Sequence, residues 1–216
     1  MKTMCRSETE YLEKLRKHAS DTRAFLSNKM KPERERSVCR AFLRAIGVPF
    51  EEQELVAPTD EPADVAFRTA LFQIREILEP NRRRGDDWKR KEKKYSEANS
   101  LDDVIEPYSP PTSIALVELV PKVVDALSEK AQKYGTGCNN IDALVYVNLG
   151  DQFLAADSDV PNLDKLQSQR WRSVSIVFPP YGVILFAATT APDFLTALAP
   201  GQYMDWQNID SLFEAR

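Results

Sequence analysis

Apolar and polar positions recur with two different periods along this chain, and the changes of period mark its elements. From 7 to 28, Tyr11, Leu12, Leu15, Ala19, Phe25 and Leu26 recur at helical spacing and predict a polar helix with a partial apolar stripe. Ser7, with Glu10 three residues on, has the order of an N-cap and capping box. A second helix is predicted from about Pro32 to Ile46, with Gly47 as its stop. The period falls to two in a short strand over 51–57 and in 64-DVAFRTALFQIREIL-78, which reads as a hairpin after the loop 58–63. A basic segment (82–98), a proline-rich connector (107–112) and a third long helix (about 113–134, containing Pro121) come next. Residues 142–149 read as a strand, 161–169 as a short helix, and 171–178 with 182–189 as a strand-turn-strand unit. The order of elements predicts an α/β domain with a mixed sheet.

Within the hairpin, a two-residue loop at Thr69-Ala70 pairs Asp64 with Arg75 and Phe67 with Phe72. One face then carries Val65, Phe67, Phe72 and Ile74, a core surface. The other carries Asp64, Ala66, Gln73 and Arg75; a three-residue loop would move Asp64 among the apolar side chains. Glu76 shares the parity of Phe72 and Ile74, which favours a structural role. The second helix adds a carboxylate, because Glu35 falls near the middle of the face defined by Val38, Cys39, Phe42, Leu43 and Ile46. A carboxylate on a core-facing stripe needs a cation or a metal, so Glu35 is expected either to pair with Arg75 or to bind a metal.

Composition narrows the chemistry. The 216 residues, 43% hydrophobic and 29% charged, suit one globular domain with a substantial core. No secretory h-region and no membrane-length apolar run is seen, so a cytoplasmic protein without membrane contact is expected. Cys5, Cys39 and Cys138 are widely spaced with no CxxC pair, which argues against a disulfide framework or a zinc site. His18 is the only histidine and sits in a charged helical run, which speaks against histidine-based hydrolysis. The net charge of −4 conceals a basic stretch, 82-RRRGDDWKRKEKK-94, with eight Lys and Arg against three Asp and Glu. Arg82, Arg83, Arg84 and Lys89 could hold a phosphate backbone and Trp88 could stack on a base; the plainer reading is a solvated helix face.

Pro62-Ala63-Asp64, followed by Gln73-Ile74-Arg75, resembles the PD-(D/E)xK nuclease motif. The segments 10-EYLEKL-15, 25-FLSN-28, 33-ERERSVCRAFL-43, 62-PADVAFR-68, 171-WRSVSIV-177 and 192-PDFL-195 resemble a bacterial family of proteins described as endonucleases. The resemblance implies a restriction-endonuclease-like single domain over 1–216, with a mixed central β-sheet flanked by helices. Its core would span about 8–196, with the helix 7–28 and the tail 197–216 peripheral. It further implies a catalytic set of Asp64, Gln73, Arg75 and Glu35. Mg²⁺, or Mn²⁺ in its place, would be held by Asp64, Glu35 and the Gln73 carbonyl for hydrolysis of DNA or RNA. The sequence departs from the motif twice: Arg75 stands where a lysine is usual and is no general base, and Gln73 replaces an acid. A metal-dependent nuclease, a catalytically silent nucleic-acid-binding module and a protein-interaction module therefore remain open, as does a homodimer.

Overall fold

The computed structural model describes residues 7–83, 85–155 and 161–205, and contacts gather them into two compact units. The stretch that the sequence reading treats as one domain is thus divided between residues up to Arg34 with Leu78–Pro110, and Glu35–Ile77 with Pro111 onward. No helix among the described residues is long and apolar enough to cross a membrane.

The first unit is built on two helices, α1 (Glu8–Phe25) and α3 (Asp86–Glu97). The Ser7 hydroxyl accepts from the Glu10 amide at 3.2 Å, the N-cap that the sequence predicts. α1 has few apolar positions to bury, Leu12 and Ala19, and polar contacts join it to α3. Arg16 donates through Nε to the Tyr95 carbonyl (2.9 Å) and through Nη2 to the Ala98 carbonyl (2.7 Å). It thereby satisfies carbonyls that the last turn of α3 leaves without helical partners. Arg23 pairs with Glu92, and the rings of His18 and Trp88 meet edge to face at 5.2 Å.

The second unit is a mixed sheet covered on both faces. The strands are β1 (Leu55–Val56), β2 (Val65–Phe67), β3 (Ala70–Leu78), β4 (Thr112–Ile114), β5 (Asp142–Asn148), β6 (Gln152–Leu154), β7 (Ser173–Phe178), β8 (Tyr181–Ala187) and β9 (Tyr203–Asp205). Seven form one sheet in the order β1-β2-β3-β5-β7-β8-β9; β4 and β6 pair in parallel beside it as a separate two-stranded sheet. β1, β2 and β3 are antiparallel, β5 and β7 parallel, and β8 and β9 antiparallel again. β9 shows that part of the tail read as peripheral completes the sheet edge; 206–216 lie outside the described residues.

Helix α2 (Lys31–Ala45) places Cys39, Phe42 and Leu43 on one face of the large sheet, in a core with Val65, Phe67, Phe72, Leu144 and Val177. Gly182 permits this close approach, since a Cβ there would stand 2.9 Å from an Ile46 methyl and 3.0 Å from the Ala45 Cβ. The opposite face is covered by α4 (Leu116–Tyr134), whose Leu119, Val120, Val123 and Leu127 pack with Ile77, Ala143, Val145 and Ile176. Two short helices, α5 (Asp164–Ser168) and α6 (Asp193–Thr196), lead into β7 and follow β8.

The mixed α/β sheet flanked by helices agrees with the sequence pattern, but the finer expectation of a restriction-endonuclease-like fold is corrected. The nuclease motif required the Glu35 helix and Asp64 to meet on one side of the sheet. Strand alternation instead turns Asp64, Gln73 and Arg75 toward the α4 face, while Glu35 belongs to the helix on the other face.

Candidate functional site

The hairpin register decides what Asp64 can reach. Phe67 pairs with Ala70, Ala66 with Leu71 and Val65 with Phe72, so the turn is Arg68-Thr69, one residue earlier than the predicted loop. Arg68 takes the left-handed conformation (φ 52°) that this turn needs. Its guanidinium donates to Glu54 Oε1 (3.0 Å) and to the Pro49 carbonyl (2.9 Å) and lies 4.6 Å over the Phe67 ring. Parity survives the shift, so the two predicted faces keep their members, but Asp64 now faces Gln73 rather than Arg75.

Asp64 stands where β2 ends and β3 continues. Its Oδ2 accepts from the Ile74 amide (2.8 Å) and from the Gln73 side-chain amide. The carboxylate thus satisfies a β3 donor that has no strand partner at that level. Gln73 is only 3% exposed, and its Oε1 accepts from the Tyr134 hydroxyl (2.8 Å), which in turn accepts from Lys130 Nζ (3.0 Å). The chain therefore has one polarity, from the Lys130 ammonium through Tyr134 and Gln73 to the Asp64 carboxylate. An ammonium only donates and a carboxylate only accepts, so both ends fix the orientation of the amide between them. Lys133 also faces the Tyr134 ring (5.4 Å) and pairs with Glu61, whose carboxylate raises the lysine's pKa.

Arg75, two residues along the same face of β3, is the least compensated charge here. Its Nε is buried with no hydrogen-bond partner, and its nearest carboxylate, Glu129 on α4, stands 3.9 Å away and is 89% exposed. It bonds to neither Asp64 nor Glu35, so the predicted Glu35–Arg75 ion pair is not formed. Glu76 accepts from Asn148 (2.9 Å) on the α2 face, a structural contact consistent with its parity.

The structure brings two of the three expected Mg²⁺ or Mn²⁺ ligands, Asp64 and Gln73, together and sets Glu35 apart from them. Gln73 presents N–H rather than its carbonyl to Asp64, and Glu35 lies on the helix covering the other face of the sheet. Among the described residues no group of three or more His, Cys, Asp or Glu side chains is arranged to hold a metal ion. Cys39 and Cys138 are free and buried; burial raises both thiols, Cys39 strongly, so neither is a poised nucleophile. Cys5 lies outside the described residues.

The basic segment is partly neutralised within the first unit. Arg82 bridges Glu79 and Asp87, both at 2.6 Å, and its guanidinium holds the Asp87 carboxyl below the usual aspartate range. Arg90 also pairs with Asp87. His18 meets the Trp88 ring edge to face and Lys91 lies 5.1 Å above it. Arg83 and Lys89 are exposed; Arg84 lies outside the described residues.

Sequence reasoning missed Asp142, which is fully buried at the start of β5. It accepts from Arg172 Nε (3.1 Å) and Nη2, from the Ser173 hydroxyl (2.7 Å) and from the Leu71 amide (3.0 Å). Arg172 also donates to the Thr69 carbonyl (3.0 Å), tying the hairpin turn to β5 and β7. The available signal was an acid opening an apolar strand in DALVYVNL and a cation opening another in WRSVSIVF.

Three comparisons set this geometry among known proteins. Residues 7–206 match the model of a family described as "Putative endonuclease, protein of unknown function (DUF1780)". No curated protein matches. A solved structure from Pseudomonas aeruginosa strain PAO1, described as a protein of unknown function of the monooxygenase superfamily, is 30% identical with a TM-score of 0.64. The match covers 92% of this chain and 96% of that one. It is this likeness that overturns the restriction-endonuclease-like expectation for the fold.

Proposed function

The chain belongs to the family whose description reads putative endonuclease, and we propose that it binds nucleic acid by its phosphodiester backbone through the α4 side of the β2–β3 hairpin. The observation that carries this reading is Arg75, a half-buried guanidinium whose Nε has no partner and whose nearest carboxylate is loosely placed and exposed. A guanidinium presents a planar fork of donors that matches phosphate oxygens, and a partly desolvated one gains more from an anion than a solvated one. Lys130 supports it as a second cation bonded only to a hydroxyl, at the Tyr134 end of the same network. Asp64 and Gln73 act as positioning residues that hold Tyr134 and the strand in place.

Fluorescence anisotropy with labelled single- and double-stranded DNA and RNA, over a series of salt concentrations, tests this. Affinity should fall linearly in log–log form with salt, and Arg75→Ala should weaken binding about tenfold, equivalent to about 1.4 kcal/mol. Binding indifferent to salt, or equal for wild type and Arg75→Ala, overturns the reading. The same samples with Mg²⁺ or Mn²⁺, resolved on gels, report cleavage. Cutting that Asp64→Asn abolishes would replace a binding module with a nuclease.

A further inference from the structure

A second feature of the same unit is a cleft of about 380 Å³ at the C-terminal end of α4, away from the Asp64–Gln73 contact. Ser128, Ala131, Gln132 and Gly135 recur at helical spacing and form one wall; Thr136 and the turn Ser168–Arg170 form the other. Ser128, Ala131 and Gly135 keep part of the helical wall low, and a Cβ at Gly135 would meet nothing within 4 Å. The opposite wall is preorganised. Gln169 donates to the Val124 carbonyl (3.0 Å) and the Ser128 hydroxyl (3.1 Å) and accepts from Trp171 Nε1 (3.0 Å), which uses both its N–H donors and one of its two acceptor positions.

Arg170 lines the cleft. It is exposed, makes no side-chain bond or ion pair among the described residues, and holds the left-handed conformation (φ 62°) that disfavours residues other than glycine or asparagine. Among the described residues that line the cleft it is the only charged one. A strained, unpaired cation beside a rigid amide is the kind of outlier from which a functional role is inferred.

We propose that this cleft binds one nucleotide unit, with the phosphate on Arg170 and the base against Ala131 and Gly135. Two features favour a nucleotide over a bare anion. The C-terminal end of a helix is rich in carbonyl acceptors and disfavours an isolated negative charge. Base N–H groups suit those acceptors, while the phosphate lies at the outer, cationic edge. The volume falls within the range of small-ligand pockets and suits one nucleotide rather than a longer segment. The proposal rests on the nucleic-acid reading above and adds a subsite to it.

Titration calorimetry of the full chain with nucleoside 5′-monophosphates, and separately with inorganic phosphate, provides the test. Mononucleotides are expected to bind, and Arg170→Gly to weaken them at least tenfold without lowering the melting temperature, since glycine relieves the left-handed strain. Failure of mononucleotides to bind, binding indifferent to Arg170→Gly, or phosphate binding as tightly as the nucleotides each overturns the subsite. If oligonucleotides still bind with dependence on Arg75, the wider reading survives that failure. If neither mononucleotides nor oligonucleotides bind, both readings fall.

Discussion

Two carboxylates of the second unit, Asp142 and Asp64, anchor polar networks beside the same hairpin, yet the networks are built to opposite plans. Around Asp142 the network is closed: a fully buried carboxylate meets the two-pronged Arg172, a serine hydroxyl and a backbone amide. Its donors and acceptors are matched and its charges balanced, leaving nothing to offer a ligand. Around Asp64 the network is open. The carboxylate accepts from the Gln73 and Ile74 amides, while two cations stand nearby: Arg75, loosely paired with the exposed Glu129 at 3.9 Å, and Lys130, which donates to the Tyr134 hydroxyl. The lesson is that a polar cluster on a sheet face is not a site by virtue of its residue types. What distinguishes them is whether its charges are used up within the fold.

The contrast orders the expected effects of substitution. Asp142→Ala should be the most damaging, because it strands the Arg172 guanidinium and the Leu71 amide in the interior; a loss of about 3–5 kcal/mol is expected in urea unfolding. A loss below about 1 kcal/mol would mean that the pair is not the lock described here. Gln73→Leu should cost less, about 1–3 kcal/mol, since it leaves Asp64 and the Tyr134 hydroxyl each short of a partner. Tyr134→Phe, measured alongside, should recover part of that loss in the double variant; strictly additive losses would show that the two groups are not coupled. Arg75→Leu should have the smallest effect on stability, unchanged to within about 0.5 kcal/mol or slightly higher, while weakening nucleic-acid binding. A large destabilisation there would make Arg75 a structural cation and remove the contrast.

Several elements were legible in the chain because their causes are local. The Ser7 cap, the amphipathic face of α2 and the apolar strands β5, β7 and β8 follow from capping chemistry and from periods that neighbouring residues alone impose. The alternation that separates Val65, Phe67 and Phe72 from Asp64, Gln73 and Arg75 was likewise readable, and it survived an error in the turn. A one-residue displacement of a two-residue turn moves both strands together and leaves each side chain on its face. The turn itself was misplaced because its position depends on Arg68 reaching Pro49 and Glu54, contacts made well outside the hairpin. The predicted helix at 113 begins only at Leu116, since Thr112–Ile114 pair with β6, forty residues further on. The contact of the Trp88 ring with His18 of another helix was not legible for a similar reason.

The sequence by itself determined which residues share a face, which helix is amphipathic and where the charge is concentrated, since period and composition depend on neighbours in the chain. Only the tertiary structure decided which helix covers which side of the sheet. That placement sets Glu35 and Asp64 on opposite faces, joins Asp64 to Gln73 and Ile74, pairs Asp142 with Arg172 and leaves Arg75 with a long, exposed ion pair to Glu129. The physical reason is that alternation fixes a side chain's face but not what packs on it. Whether a buried charge is balanced depends on contacts between residues far apart in the chain.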